Sequence, residues 1–220
     1  MVYEFDRDAA PDRIESASRK TVILIAVPRM PASHQSEPRP AAGDFWVFGY
    51  GSLMWRPGFE FIEQVPARLI GEHRALCVYS FDHRGTPEKP GLVLGLDRGG
   101  ACRGIAFRVR GELRETTIDY LRGREQTTNV YREVMRSVWL DNETRGRVSA
   151  LAYVVDRGHV QYAGRLSLAE QLHFVRQGHG RSGDNRDYVL STVKSIEAQG
   201  FRDRQLHQLA AMLHEGGTHA

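Results

Sequence analysis

Between Phe45 and Val109 the apolar residues come as short runs, or alternate with polar ones, and Gly, Pro and Asp punctuate them. The stretches FWVFGY (45–50), ARLIGEHRALCVYS (67–80), GLVLGLD (91–97) and CRGIAFRV (102–109) each predict a strand. The period then changes. In ELRETTIDYLRGRE (112–125), Leu113, Ile118 and Leu121 share one face of a predicted helix. Alternation resumes in VYREVMRSVWL (130–140), and VSALAYVVD (148–156) predicts a buried strand. Beyond it the chain turns helical. Ser167-Leu168-Ala169-Glu170 is a capping box, NRDYVLSTVKSIEAQG (185–200) predicts a helix ended by Gly200, and DRQLHQLAAMLHEGG (203–217) predicts another. Strands first and helices later indicate an α+β domain rather than a doubly wound sheet.

Residues 1–43 break with this patterning. Pro28, Pro31, Pro38 and Pro40 interrupt any helix or ladder, so the segment is expected to be a flexible extension, with the compact domain at 44–215. Its one apolar run, Thr21–Val27, is far too short to span a bilayer. It also lacks the flanks of a signal peptide, so no membrane association is expected. The chain has 30 basic and 27 acidic residues, and the basic ones are scattered rather than striped. That argues against nucleic-acid binding and leaves a small anionic ligand as the better partner. Two cysteines, Cys77 and Cys102, are too few for a disulfide scaffold or a Cys-based zinc site, and a reducing cytoplasm is expected. The histidines show no metal-binding spacing.

Gly49-Tyr50-Gly51 follows an apolar strand, as a dinucleotide-binding loop would. A third glycine should stand at 54 and open a helix, yet Met54 is there, followed by the turn-forming Trp55-Arg56-Pro57-Gly58. No P-loop lysine is present. Ser52 is not in a nucleophile elbow, because Tyr50 and Met54 occupy the positions that need glycine. What remains is a strand ending in a tight turn. Gly49 and Gly51 let backbone approach a ligand and are free to take positive φ, and successive N–H groups there make an anion-binding concavity. A plain strand-ending turn over a buried tyrosine is the other reading.

FWVFGYGSLMW resembles the opening motif of the ChaC-like gamma-glutamylcyclotransferases, enzymes of glutathione breakdown. FDHRGTPEKPGLVLGL (81–96), ACRGIAFRV (101–109), YLRGREQTTNVY (120–131) and GHGRSGDNRDYVL (178–190) resemble further family segments in the same order. The matches run from Phe45 to Leu190, and five in order are far more specific than one Gly-Tyr-Gly-Ser. Gln126 stands where the family pattern has Met or Lys.

The resemblance implies an α+β fold on a compact, mixed, β-barrel-like sheet with flanking helices, and no cofactor or metal. It implies cleavage of glutathione to 5-oxoproline and cysteinylglycine. In this reaction the α-amine of the γ-glutamyl group attacks its own γ-carbonyl, so the enzyme supplies no nucleophile. A proton acceptor is needed instead, and the resemblance places that role on Glu125, with Glu115 and Glu133 as lesser rivals. It gives the γ-glutamyl group to Tyr50, Gly51, Ser52 and Leu53, with Val47, Phe48 and Gly49 leading in. Arg84, then Arg181, are candidates for the substrate carboxylates, or else tie loops together through backbone carbonyls. His83 is expected to stabilise its turn, and Tyr131 either packs in the core or touches substrate. Two alternatives stay open: a cyclotransferase for other γ-glutamyl amino acids or amines, and a non-catalytic binder that keeps the pocket. The oligomeric state is left open.

Overall fold

The computed structural model describes residues 43–142 and 146–215. The N-terminal extension, with Thr21–Val27, lies outside the described residues. The strands are β1 (Phe45–Gly49), β2 (Glu63–Ser80), β3 (Gly91–Val109), β4 (Tyr131–Leu140) and β5 (Arg147–Val155). They close a barrel in the order β1-β3-β2-β4-β5. β1 lies antiparallel to β3, with Phe45 opposite Val109, and parallel to β5, with Val47 opposite Leu151. That single parallel contact closes the sheet and makes it mixed.

β2 and β3 form a long hairpin that dominates the fold. Where two short runs, 91–97 and 102–109, were expected, one strand continues from Gly91 to Val109. Gly99 and Gly100 take left-handed backbone, with φ of 101° and 71°, at the point where polar residues interrupt the apolar pattern. The pairing register shifts between Ile70 and Glu72 and again between Leu76 and Val78. Such bulges bend a strand and increase its twist, which lets one hairpin wrap a closed barrel.

Helix α1 (Arg114–Glu125) joins β3 to β4, and its Leu121 packs in a cluster with Phe45, Val47, Leu53 and Tyr153. α2 (Leu168–Gln177) starts at the expected capping box: Ser167 Oγ accepts from the Glu170 N–H, and Glu170 Oε2 accepts from the Ser167 N–H at 2.7 Å. A two-rung ladder, β6 (His179–Gly180) with β7 (Gly183–Asp184), leads into α3 (Asn185–Ala198), and α4 (Arg204–Glu215) follows. Val175, Val189, Ile196 and Leu209 from these helices share one core with Phe48, Leu69, Leu92 and Phe107 of the barrel. Each fully buried aliphatic side chain contributes roughly 1.5–3 kcal/mol. Among the described residues no helix is long and apolar enough to cross a membrane.

Candidate active site

β3 runs beyond its partner β1, which pairs only with Ile105–Val109. The first half of β3 therefore has a free edge, and its backbone groups need other partners. Side chains supply them. Asn185, fully buried at the start of α3, accepts from the Leu92 N–H and donates to the Leu92 carbonyl, both at 2.7 Å. One helical turn on, the Tyr188 hydroxyl accepts from the Leu94 N–H at 3.2 Å. The Tyr131 hydroxyl, from the start of β4, donates to the Leu94 carbonyl at 2.6 Å. Two tyrosines are thus pinned on one residue of the strand edge.

A cavity of about 670 Å³ opens beside this edge. Its walls bring together Tyr50, Gly51, Ser52 and Leu53 of the turn after β1, Glu125 at the end of α1, and Tyr131 and Tyr188. Further out lie Asp82, His83, Arg84 and Arg181. Met54 N–H bonds to the Gly51 carbonyl, making the 3₁₀ turn Ser52–Met54, whose leading N–H groups are left over. Among the described residues, no acceptor faces the N–H groups of Gly51, Ser52 and Leu53.

Among the described residues, three carboxylates reach the cavity wall: Asp82, Glu125 and Asp187. Asp82 and Asp187 are exposed, and Asp82 is paired with Arg181 at 2.8 Å. Glu125 differs, its side chain being 18% exposed. Burial raises its pKa above the ordinary glutamate value, and Arg124, 3.2 Å away, opposes the shift. Burial likewise pushes Tyr50, Tyr131 and Tyr188 upward, and the charge of Glu125 adds to each, so these phenols stay neutral around the carboxylate. The rivals do not reach the cavity wall. Glu133 is clamped by Arg122 through bonds of 2.8 and 3.0 Å, and Glu115 is exposed on α1.

Other expectations are redrawn. Val47 and Phe48 are fully buried in the core, and neither they nor Gly49 line the cavity. Gly49 and Gly51 do not take positive φ. A Cβ at Gly49 would sit 3.0 Å from that of Leu53 and 3.3 Å from the Phe107 ring, so packing is what calls for glycine there. Arg84 donates to the Ser182 carbonyl at 2.5 Å and the Asp184 carbonyl at 3.3 Å, tying the loop after β2 to the β6–β7 ladder. Arg181 donates to His83 Nε2 at 2.9 Å, which leaves His83 Nδ1 to donate to Ser182 Oγ at 2.9 Å. A Cβ at Gly180 would strike the Asp82 carbonyl and the His83 backbone, so glycine permits this loop contact.

Arg124 does more than pair with Glu125. Its guanidinium reaches Ser52 Oγ at 2.8 Å, the Arg56 carbonyl at 2.6 Å and the Tyr120 hydroxyl at 3.1 Å. It fastens the end of α1 to the glycine turn and so holds Glu125 against it. Tyr188 and Asn185 were also missed as individuals. Their spacing of three on a predicted helix was the available signal, since it puts both on one face.

A family described as ChaC-like protein matches residues 45–216. This chain belongs to the ChaC-like family. ChaC-like relatives include the glutathione-specific gamma-glutamylcyclotransferase of Escherichia coli (strain K12), 34% identical over 172 residues, 78% of this chain and 73% of that protein. Human glutathione-specific gamma-glutamylcyclotransferase 1 is 31% identical over 207 residues, covering 88% of this chain and 91% of its own. The fold of this ChaC-like chain matches the crystal structure of a yeast gamma-glutamylcyclotransferase specific to glutathione, with a TM-score of 0.73 over 81% of this chain and 99% of that one. At 20% identity that likeness carries the fold alone.

Proposed function

We propose that this ChaC-like protein is a glutathione-specific gamma-glutamylcyclotransferase, with Glu125 as general acid and base. The observation that carries the mechanism is that Glu125 is, among the described residues, the one shielded carboxylate on the cavity wall, in a cavity that also holds N–H groups of the 51–53 turn to which no described acceptor is bonded. The names of the relatives support the substrate.

The γ-glutamyl group binds with its α-ammonium toward Glu125. The carboxylate takes one proton, and burial has already made it a stronger base than an exposed glutamate. The freed amine adds to the γ-carbonyl carbon, closing a five-membered ring. Negative charge collects on the carbonyl oxygen, where the turn's N–H groups stabilise it without reorganising, an effect of about 2.7–4 kcal/mol per donor. Collapse of this intermediate breaks the bond to the cysteine nitrogen, which receives a proton from Glu125. Glu125 then passes the ring nitrogen's second proton to the released amine, so the products are the neutral lactam 5-oxoproline and cysteinylglycine as its ammonium, and the Glu125 carboxylate is regenerated. Residence in the cytoplasm accords with Cys77 and Cys102, both free and buried.

Glu125→Gln keeps the shape and removes the basicity. Release of 5-oxoproline from glutathione should fall by at least about 10²-fold, with glutathione binding by calorimetry largely retained. Full activity in this variant refutes the mechanism. Release from γ-glutamylalanine but not from glutathione refutes the substrate.

A further inference from the structure

Arg74 lies on β2 inside the fold, 6% exposed, and it does not line the cavity. Its Nε donates to the Tyr50 carbonyl at 2.6 Å, and its Nη2 donates to the Arg103 carbonyl at 2.7 Å. Nη1 meets Asp203 Oδ2, just ahead of α4, at 3.4 Å, and Nη2 also touches Met54 Sδ at 3.8 Å. Every contact of this guanidinium is with the glycine turn, the barrel strand beside it, or the approach to α4. A buried cation is a poor choice for stability alone, because its desolvation offsets most of what its bonds return.

The peptide that Arg74 grips is the one joining Tyr50 to Gly51. A trans peptide is planar, with its carbonyl and N–H pointing in opposite directions. Fixing the Tyr50 carbonyl on Arg74 therefore directs the Gly51 N–H away from the guanidinium, and Gly51 lines the cavity that Arg74 does not reach. Without that anchor the peptide is free to rotate, because no other described group holds the Tyr50 carbonyl or the Gly51 N–H.

We infer that Arg74 is a positioning residue for the cyclisation: a latch behind the turn that aims the Gly51 N–H at the oxyanion of the transition state. The inference rests on the proposed cyclotransferase reaction and adds to it a residue that never touches substrate. It requires a fork that spans two carbonyls, which a lysine ammonium does not reproduce.

The test is Arg74→Lys, assayed for 5-oxoproline release beside Leu209→Ala. Leu209 is fully buried on α4, does not line the cavity, and makes no hydrogen bond to the turn, so its truncation lowers stability while leaving the bonds of the turn in place. Misaiming one donor should lower kcat by about 10²-fold, with KM changed by less than about threefold. Leu209→Ala should keep its kcat well below its melting temperature. An unchanged kcat in Arg74→Lys, or an equal loss in both variants, overturns the latch.

Should Arg74→Lys not fold, wild-type protein labelled with 15N-glycine decides the matter. The Gly51 amide resonance must shift when 5-oxoproline is added, and a static resonance refutes the latch. A wild-type protein inert toward glutathione counts against the proposed reaction instead. In that case, with Arg74→Lys folded, the latch is judged on the variant's crystal structure, in which an unmoved Tyr50 carbonyl refutes it.

Discussion

Glu125 pairs a chemical advantage with a cost to the fold. Its carboxyl pKa is raised above the ordinary value of 4.5 by burial, against the opposing charge of Arg124. It is also the last residue of α1, where the partial negative end of the helix disfavours another anion. Near pH 4 both the folded and the unfolded carboxyl are largely protonated, and little penalty exists. As pH rises from the unfolded value through the raised native one, the unfolded chain loses a proton that the folded chain keeps, so stability falls. Above that window the anion is held in a shielded site and the loss is complete. Gln carries no such proton. Glu125→Gln should therefore melt with the wild type near pH 4 and above it near pH 8, the gap opening across the window between. Differential scanning calorimetry over that range checks this, and a gap that shrinks with rising pH contradicts the assigned cause. The sequence placed Glu125 correctly at a helix end, but its shielding was invisible there, because the walls come from residues 50–53, 131 and 188.

At the scale of elements, local periodicity carried most of the information. The alternating runs became strands, the 3.6-residue patterns became helices, and Ser167 with Glu170 marked a helix start from four residues alone. What periodicity does not carry is the pairing of distant segments. Nothing local says that β3 outruns β1, or that α3 must supply the missing bonds. Asn185 does this for Leu92 from 93 positions away, replacing a strand partner with one amide. Asn185→Ala leaves a buried N–H and a buried carbonyl without partners, at about 1–3 kcal/mol each. The variant should lose about 2–4 kcal/mol in urea denaturation, and Tyr188 should lose its alignment on Leu94, lowering activity as well. A loss under about 0.5 kcal/mol, the range of an ordinary surface substitution, would show that water replaces the amide and that the edge is not sealed.

The whole molecule places two kinds of support around one cavity. The barrel fixes the glycine turn and the strand edge, while α1 and α3 bring in Glu125 and Tyr188. Closure of the barrel was expected only from the family resemblance, since five short strands are compatible with several sheets. A ligand that bridges these parts stabilises the folded chain by RT ln(1 + [L]/Kd), about 2.7 kcal/mol at one hundred times Kd. For a domain of this size 1 kcal/mol moves the melting temperature by about 2–4 °C, so saturating glutathione should raise that of Glu125→Gln by roughly 5–11 °C. This variant is the right vehicle because, under the proposed mechanism, it consumes the ligand far more slowly. Cysteinylglycine lacks the γ-glutamyl group and cannot fill the space between the turn and residue 125, so at equal concentration it should move the transition far less. 5-Oxoproline fills only that inner end and should fall between the two. Equal shifts for glutathione and cysteinylglycine would mean that the outer wall near His83, Arg84 and Arg181 does the holding, and that the glycine turn is not the γ-glutamyl subsite.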